Sequence, residues 1–582
     1  MRKMYLLLLL ILPFAGKSQK LTTLFEQSKG TQTPTYHEII AWWKKLASTS
    51  PIIKMQEMGP SDAGFPVHLI LVSTDRDFNI QSIKAKKKNI ILFNNGIHPG
   101  EPDGIDASML LVRDIVENRY KLPSNIVLAI IPVYNIGGCL NRSANYRVDQ
   151  NGPEEFGFRG NSENLDLNRD FIKCDSKEAL TFSKIFHYLD PDVFADNHVS
   201  DGADYQHIMT LLTSQHNKLG GEMGDYLNNL FEPALYSLMK TKGYELVPYV
   251  NHFGETPEKG WSAYWDSPRY SSGYTTLWNT FSFTPETHML KPYEQRVAST
   301  KALEESFIEY TAAHSAEIIR LRAETKKQQE TQATFPLAWK LDRTQSTQIN
   351  YKGFEAGHKT SEVSGLPRLY YDRSKPFEAK VPFNNTYRDT LSVQKPIAYV
   401  IPQGWWKVID RLTANNVQMR KLTKDTSIEV EWYRIESFQS SQRPYEGHHL
   451  NTNVQVSRHT QKINFRKGDV FIALNQAANR FLIETLEPQG PDSYFAWNFF
   501  DPILGQKEDY SDYHFEDVAA DYLKQHPEVR KELDQRKSQD SNFAKSGRAQ
   551  LDFVFEHSPY FEPAYLQYPV FRIMNKEQGI SN

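Results

Sequence analysis

Cysteine is nearly absent from this chain, and its scarcity excludes two classes of structure. Only Cys139 and Cys174 occur among the 582 residues. Two thiols can build neither a four-thiolate zinc site nor a disulfide framework. The sequence leaves open whether the two pair with each other, and nothing inferred below depends on the answer.

The chain also lacks a surplus of basic residues. Its formal net charge is -3, whereas proteins that bind phosphate backbones usually carry a basic excess. We therefore expect no nucleic-acid partner. Hydrophobic residues at 40% and aromatic residues at 13% are sufficient for packed cores, and the length predicts two or three domains.

Nowhere does the sequence contain an apolar run long enough to span a membrane, which takes roughly 20 residues. The apolar run at residues 5–14 is shorter, follows Arg2 and Lys3, and precedes small residues. This pattern is typical of a secretory signal peptide. We predict a signal at residues 1–18, cleavage before Gln19, and export to the periplasm or the extracellular space.

Apolar strand patterns alternate with helical patterns over residues 19–330. Strands are predicted at residues 67–72, 89–93 and 126–133, with a helix at 105–118 between two of them. Such alternation predicts an α/β domain, a mixed and mainly parallel sheet flanked by helices.

The periodicity changes in the last part of the chain. Residues 325–334 are charged and glutamine-rich, and we interpret them as a linker. Beyond them, Ile428, Val430 and Trp432 alternate with polar residues, which predicts strands. Residues 331–582 are therefore predicted to form a smaller β-rich accessory domain, with a helix near residues 517–537.

A candidate metal site follows the strand at residues 89–93. His98 and Glu101 lie three positions apart on the loop after this strand, and imidazole with carboxylate is a zinc ligand pair. Gly96 and Gly100 punctuate that loop at the carboxyl end of the strand, where open α/β sheets place their sites.

His198 is the candidate third ligand, because it too ends a short apolar strand. Alone it would be a hydrogen-bonded structural histidine, but its placement repeats that of His98. Asp196 or Asn197 could orient an imidazole from behind. Two histidines and one carboxylate leave a coordination position open, as in catalytic rather than structural zinc sites. The sequence predicts one zinc ion.

Two further features have both a chemical and a structural interpretation. The long polar loop at residues 135–169 contains several arginines, which indicates an anion-binding loop or a solvated basic one. Glu286 follows the short strand at residues 281–283. It is either the general base of a zinc site or an acid at a helix N-terminus.

Together these motifs resemble the zinc carboxypeptidase family, that of carboxypeptidase A. The resemblance covers roughly residues 35–325, in the order found in the family. Residues 331–582 resemble β-rich domains that are appended to bacterial members. The matching pieces are His98-Pro99-Gly100-Glu101, Asp166-Leu167-Asn168-Arg169, His198 and Thr284-Pro285-Glu286-Thr287.

The resemblance implies a zinc-dependent carboxypeptidase that acts on peptides with a free C-terminal carboxylate. It implies that His98, Glu101 and His198 bind zinc and that Asp166 supports His98. It also implies that Glu286 is the general base and acid.

The resemblance also assigns the binding of the substrate. Asn168 and Arg169 would hold the terminal carboxylate, and Arg147, in an Asn-Tyr-Arg motif, would stabilise the oxyanion, with Arg159 as the reserve. Tyr274, with Tyr270 as a second choice, would close over the substrate. The family's closing tyrosine normally lies farther before the catalytic glutamate. We also expect activity without removal of a pro-segment.

Two other functions remain open at this point. A zinc amidohydrolase of the aspartoacylase kind shares the H-x-x-E start and an arginine-bearing loop, and the Tyr- and Trp-rich insertion at residues 211–279 could narrow the cleft toward small N-acyl amino acids. A non-catalytic peptide- or glycan-binding protein is the third hypothesis.

Overall fold

The computed structural model describes residues 21–252 and 254–575. The signal peptide predicted at residues 1–18 lies outside the described residues. Within those two ranges, no helix has both the length and the apolar character needed to cross a membrane.

Strands and helices alternate along the first half of the chain, up to residue 330. The strands are β1 Ile53–Pro60, β2 Pro66–Val72, β3 Asn89–Asn94, β4 Ile126–Ile131, β5 Arg142–Ser143, β6 Phe156–Gly157, β7 Val193–Asp196, β8 His198–Ser200, β9 Met209–Thr213, β10 Val247–Pro248, β11 Trp261–Ser262 and β12 Phe281–His288. The helices are α1 Leu24–Gln27, α2 Tyr36–Thr49, α3 Ile80–Ala85, α4 Asp103–Val116, α5 Ile136–Leu140, α6 Lys177–Leu189, α7 His216–Leu219, α8 Gly221–Tyr226, α9 Glu232–Thr241, α10 Ser271–Thr276, α11 Tyr293–Ala313 and α12 Ser315–Thr331.

A mixed sheet forms the core of the first half. Among the described residues its strands run in the order β1-β2-β4-β3-β7-β12-β9-β10, and β8 pairs with β12. Strands β4, β3, β7 and the first part of β12 are mutually parallel. Strands β1 and β2 pair antiparallel with their neighbours, and β9 pairs antiparallel with β12 and parallel with β10. Every residue of β3 and β4 is buried, as expected for apolar strands with both faces covered by helices. The predicted α/β fold is confirmed.

The C-terminal half, from residue 331 onward, contains smaller sheets and a cluster of helices. Its strands are β13 Thr334–Leu341, β14 Thr347–Thr360, β15 Pro367–Asn384, β16 Tyr387–Gln394, β17 Ala398–Ile401, β18 Arg420–Lys421, β19 Thr426–Ser440, β20 Asn451–Phe465, β21 Val470–Ala473 and β22 Phe571–Ile573. Its helices are α13 Trp406–Ala414, α14 Asn479–Leu486, α15 Asp512–Gln525, α16 Pro527–Gln539, α17 Ser541–Ala544 and α18 Gly547–His557. The β-rich character predicted for this region is confirmed.

The two halves are joined more closely than the sequence indicates. The predicted linker at residues 325–334 is largely helical, because α12 continues to Thr331. The strand β11 of the first half pairs in parallel with β15 of the second. The helix predicted near residues 517–537 is two helices, since Pro527 begins a new one, the position in a helix that proline favours. The domain boundary at residue 330 stays a prediction.

Both cysteines are buried and free. Burial raises the pKa of each thiol to about 12, so both are protonated at neutral pH and poorly reactive.

The packing of β3 leads to a testable expectation for stability. Ile91 is fully buried in this central strand, and Ile91→Ala should lower the free energy of unfolding by about 2–5 kcal/mol because it leaves a cavity. Urea unfolding followed by circular dichroism measures the change. Val363→Ala, at a residue that is 99% exposed, is the control. Equal unfolding midpoints for the two variants would contradict the expectation.

Candidate active site

His98 and Glu101 lie in the loop that connects β3 to α4. Strand β3 ends at Asn94, and Gly96 follows with φ = +64°, a conformation that glycine adopts without strain. The backbone N–H of Glu101 donates to the carbonyl of His98 at 2.8 Å. This tight turn brings the two side chains together at the carboxyl end of the strand.

His198 reaches the same place from a neighbouring strand. Strand β7 pairs in parallel with β3, with Asp196 opposite Asn94. His198 opens β8, where it pairs with Glu286 of β12. Because the parallel strands β3, β7 and β12 end at one edge of the sheet, residues distant in sequence converge there.

The three candidate ligands each direct one atom to a common centre. Nδ1 of His98 lies 3.3 Å from Oε1 of Glu101, and Nδ1 of His198 lies 3.1 Å from Oε2 of Glu101. All three ligand atoms lie within 4.8 Å of one another, and all three residues are buried. The structure therefore brings together the His-Glu-His set that the sequence predicts.

Each imidazole is held from behind by a carboxylate. Nε2 of His98 lies 2.8 Å from Oδ1 of Asp166, and Nε2 of His198 lies 3.1 Å from Oδ2 of Asp196. These contacts favour a proton on each Nε2 and leave each Nδ1 lone pair facing Glu101. Of the two residues predicted to orient His198, Asp196 has that contact, whereas Asn197 donates to Asn95 at 2.8 Å.

Charges around the ligand set compensate one another. Burial opposes ionisation of Glu101, yet Arg147 and the two imidazoles hold the pKa of its carboxyl well below the usual value. Burial likewise opposes the charged form of His198, but Asp196 and Glu101 raise its pKa well above the usual value. Against burial, His98 and the neighbouring arginines lower the pKa of Asp166. The surrounding carboxylates thus favour positive charge at the centre.

This donor set fits one zinc ion. Nδ1 of His98 is buried and has no hydrogen-bond partner, as expected of an atom that serves as a metal ligand. Two imidazole nitrogens and one carboxylate oxygen match the ligands that zinc takes at about 2.0–2.2 Å. Three protein ligands leave one position for water or substrate.

Two arginines of the long loop lie beside the ligand set. Nη1 of Arg147 donates to Oε1 of Glu101 at 2.6 Å, and its Nη2 donates to the carbonyl of Val199 at 3.3 Å. Its Nε is buried without a partner. Arg159 donates from Nε to Asp166 at 2.9 Å. Its side chain is 46% exposed, whereas that of Arg147 is 15% exposed. Both line a cavity that is also lined by the three candidate ligands.

Asn168 and Arg169 line the same cavity, beyond the ligand set. They lie in a short 3₁₀ turn that Asp166 caps by accepting from the N–H of Asn168 at 2.9 Å. The guanidinium carbon of Arg169 lies 4.6 Å from the centre of the Tyr270 ring. Oδ1 of Asn168 accepts from the N–H of Ser271 at 3.1 Å. The loop before α10 therefore packs against these two residues.

Glu286 belongs to β12 and lines the cavity. Strand β12 continues through this residue to His288, beyond the end at residue 283 that the sequence predicts. Desolvation by the surrounding protein raises the pKa of Glu286 to about 8, opposed by His198 and assisted by Glu101. A carboxyl group with a raised pKa can exchange protons near neutral pH.

The assignment of Tyr274 to substrate binding needs correction. Tyr274 belongs to α10 and its side chain is fully buried in the core. Its hydroxyl donates to Oδ1 of Asn415 at 2.6 Å. It packs among Phe171, Phe182 and Phe186. Tyr270, four residues earlier and just before the first residue of α10, lines the cavity instead.

The sequence does not predict several other residues in the cavity wall and behind it. Tyr249 and Tyr264, from the insertion at residues 211–279, line its wall, and Tyr264 donates to the hydroxyl of Tyr270 at 2.6 Å. Tyr445 and Glu446 of the C-terminal half contact residues 166–169. Nothing in the local sequence distinguishes these tyrosines from the other tyrosines of the chain.

Comparison with known proteins identifies the relatives of this chain. Residues 39–217 match the family model described as "Zinc carboxypeptidase". Proteins named "Carboxypeptidase 2" from Trichophyton rubrum and Trichophyton equinum are each 21% identical, and the matches cover 82% of this chain and 87% of the relative.

The solved structures that this chain matches include two carboxypeptidases. The metallo-carboxypeptidase from Burkholderia cenocepacia is 17% identical, with a TM-score of 0.37 over 48% of this chain and 70% of that one. Carboxypeptidase A from Helicoverpa armigera is 16% identical, with a TM-score of 0.38 over 49% and 75%.

The ligand geometry predicts how metal content responds to substitution. His198→Ala removes one of three ligands, and the zinc bound per chain after dialysis should fall from about one to below about 0.1, a loss of at least tenfold in affinity. Elemental analysis of the purified protein measures it. His459→Gln, an exposed histidine of the C-terminal half, should keep its zinc. Undiminished zinc in His198→Ala would remove this residue from the ligand set.

Proposed function

We propose that the chain is a metallocarboxypeptidase of the zinc carboxypeptidase family, and that it uses one zinc ion and Glu286 to hydrolyse the C-terminal peptide bond of peptides. One observation carries this proposal. The three candidate ligands, Glu286 and Arg169 line a single cavity of about 590 Å³. One peptide end can therefore meet all of them at once, which is the condition for an oriented reaction.

The free C-terminal carboxylate is the group that Arg169 and Asn168 recognise. A guanidinium offers two parallel N–H groups to a carboxylate, and the amide of Asn168 adds a donor. Tyr270 covers one face of the guanidinium. These contacts hold the last residue of the substrate and favour a chain end over an internal peptide bond.

The chemistry needs a nucleophilic water and a protonated leaving amine. Zinc held by His98, Glu101 and His198 would lower the pKa of a water toward about 7 and polarise the scissile carbonyl. Glu286 takes a proton from the attacking water, whose oxygen bonds to the carbonyl carbon. Glu286 then returns that proton to the amide nitrogen as the C–N bond breaks.

Arg147 stabilises the negative charge that develops on the carbonyl oxygen. Its Nε is a buried donor without a partner, and a pre-oriented donor in a site with little water stabilises an oxyanion strongly. Asp166 and Asp196 keep the two imidazoles oriented and electron-rich during the reaction.

Location and domain division belong to this proposal as well. The positive start and the short apolar run of residues 1–18 support export. The change from an α/β pattern to a β-rich pattern near residue 330 supports a catalytic domain followed by an accessory domain.

A panel of three substrates tests the reaction. A blocked dipeptide with a free carboxylate should be hydrolysed with kcat/KM at least about 100-fold above that of its C-terminal amide, because the amide leaves the charged clamp unpaired. Its kcat/KM should also exceed that of the corresponding N-acyl amino acid. Faster cleavage of the N-acyl amino acid would favour the amidohydrolase, and no cleavage of any of the three would favour a binding protein.

Glu286→Gln tests the general base. The amide cannot accept the proton, so kcat should fall by about 10²–10⁴-fold while zinc content stays at its original value. Stopped assays of the blocked dipeptide measure kcat. Glu305→Gln, on α11 and outside the cavity lining, is the matched control and should keep its activity. Hydrolysis by Glu286→Gln at a near-normal rate would overturn the assignment.

A further inference from the structure

A hairpin turn of the C-terminal half contacts the first half of the chain, here named the catalytic half, beside the cavity. It joins the long strands β19 and β20, and its tip is residues 445–448. Tyr445 and His448 exchange backbone hydrogen bonds of 2.7 and 3.1 Å. Glu446 and Gly447 between them have φ of +50° and +79°. Two residues with positive φ form the tight turn that suits a β-hairpin.

Consecutive residues of this tip contact the two ends of the segment 166–169. Nε of Arg169 donates to the hydroxyl oxygen of Tyr445 at 2.8 Å. The backbone N–H of Asp166 donates to Oε2 of Glu446 at 2.8 Å. One turn from the C-terminal half thus holds both the arginine of the carboxylate clamp and the residue behind His98.

Further contacts hold the tip itself in place. Nε2 of His448 lies 2.7 Å from Oδ2 of Asp175 in the catalytic half. Arg269, also of that half, lies over the ring of Tyr445, with its guanidinium carbon 5.6 Å from the ring centre. Arg269 is paired with Asp492 at 2.7 Å. The turn that carries Tyr445 is therefore held against the catalytic half by several contacts.

These contacts restrict Arg169 before any substrate binds. Its Nε is engaged by Tyr445, its Nη1 donates to the carbonyl of Asn168 at 2.9 Å, and Tyr270 covers its face. Arginine side chains lose much rotational freedom when they are fixed, and a side chain fixed in advance does not incur that cost on binding.

We propose that Tyr445 is a positioning residue of the carboxylate clamp, so that the C-terminal half completes the substrate site of the catalytic half. Tyr445 does not line the cavity; its hydroxyl acts through Arg169, which does. The inference rests on the proposed function, because it needs Arg169 to bind the terminal carboxylate.

Tyr445→Phe in the full-length zinc enzyme tests the inference. The variant keeps the ring and loses only the hydroxyl, so KM for the blocked dipeptide should rise about tenfold, the scale of one hydrogen bond to a charged group. The inhibition constant of the released amino acid, which carries the same carboxylate, should rise by the same factor. We expect kcat to stay within about twofold and zinc content to be unchanged, because the ligand set is untouched.

A double-mutant cycle with Arg169→Lys shows whether the hydroxyl acts through the guanidinium. Lysine keeps the charge but has no Nε, so Tyr445→Phe should change KM by less than about twofold in that background. Tyr510→Phe is the matched control. Its hydroxyl donates to Asp552 at 2.6 Å among the C-terminal helices, and we expect its KM and inhibition constant to equal those of the unmodified enzyme.

Three results would overturn the inference. KM and the inhibition constant could be unchanged in Tyr445→Phe while Arg169→Lys raises both. The effect of Tyr445→Phe could persist undiminished in the Arg169→Lys background. Or kcat and zinc content could fall at constant KM, which indicates a merely structural role. If instead Arg169→Lys itself changes neither constant, the clamp assignment within the proposed function fails first.

Glu446→Ala provides a second variant in case Tyr445→Phe does not fold. It removes the acceptor of the Asp166 N–H and should raise KM in the same direction, by about threefold. Unchanged KM and inhibition constant in a folded Glu446→Ala protein would also overturn the inference.

Discussion

The convergence of Glu101 with two imidazoles is the constraint on which the site depends. The three ligand atoms lie within 4.8 Å of one another, although His198 is 97 positions from Glu101. Parallel pairing of β3 with β7 makes this possible, because both strands end at one edge of the sheet. A slip of one residue in that pairing would move His198 away from its partners.

Burying so many charges requires compensation, and the surroundings of the site provide it. Each imidazole is bonded to a second carboxylate, and Arg147 offsets the charge of Glu101. Buried ions without such partners would be costly. The same arrangement orients the ligands, so the groups that make the site stable also prepare it for a metal.

The C-terminal half contributes to this arrangement. Its hairpin tip contacts the segment that carries Asp166, Asn168 and Arg169, and its strand β15 accepts β11 from the first half. Because Arg169 lines the cavity and also contacts the hairpin tip, the β-rich half borders the candidate site. A change in how the halves pack would alter the contacts of both Arg169 and Asp166 with the hairpin tip.

The α/β sheet, the His-Glu-His set and the loop residues beside it could be predicted from local patterns, because apolar runs indicate strands and short motifs at strand ends indicate sites. Which tyrosine lines the cavity depends on how α10 packs in three dimensions. Tyr274 and Tyr270 are four positions apart, yet the first is buried within α10 and the second precedes the helix. The tertiary structure also revealed Tyr445, which lies 276 positions from Arg169. Local patterns report a residue's own segment, whereas contacts between distant segments depend on how whole elements pack.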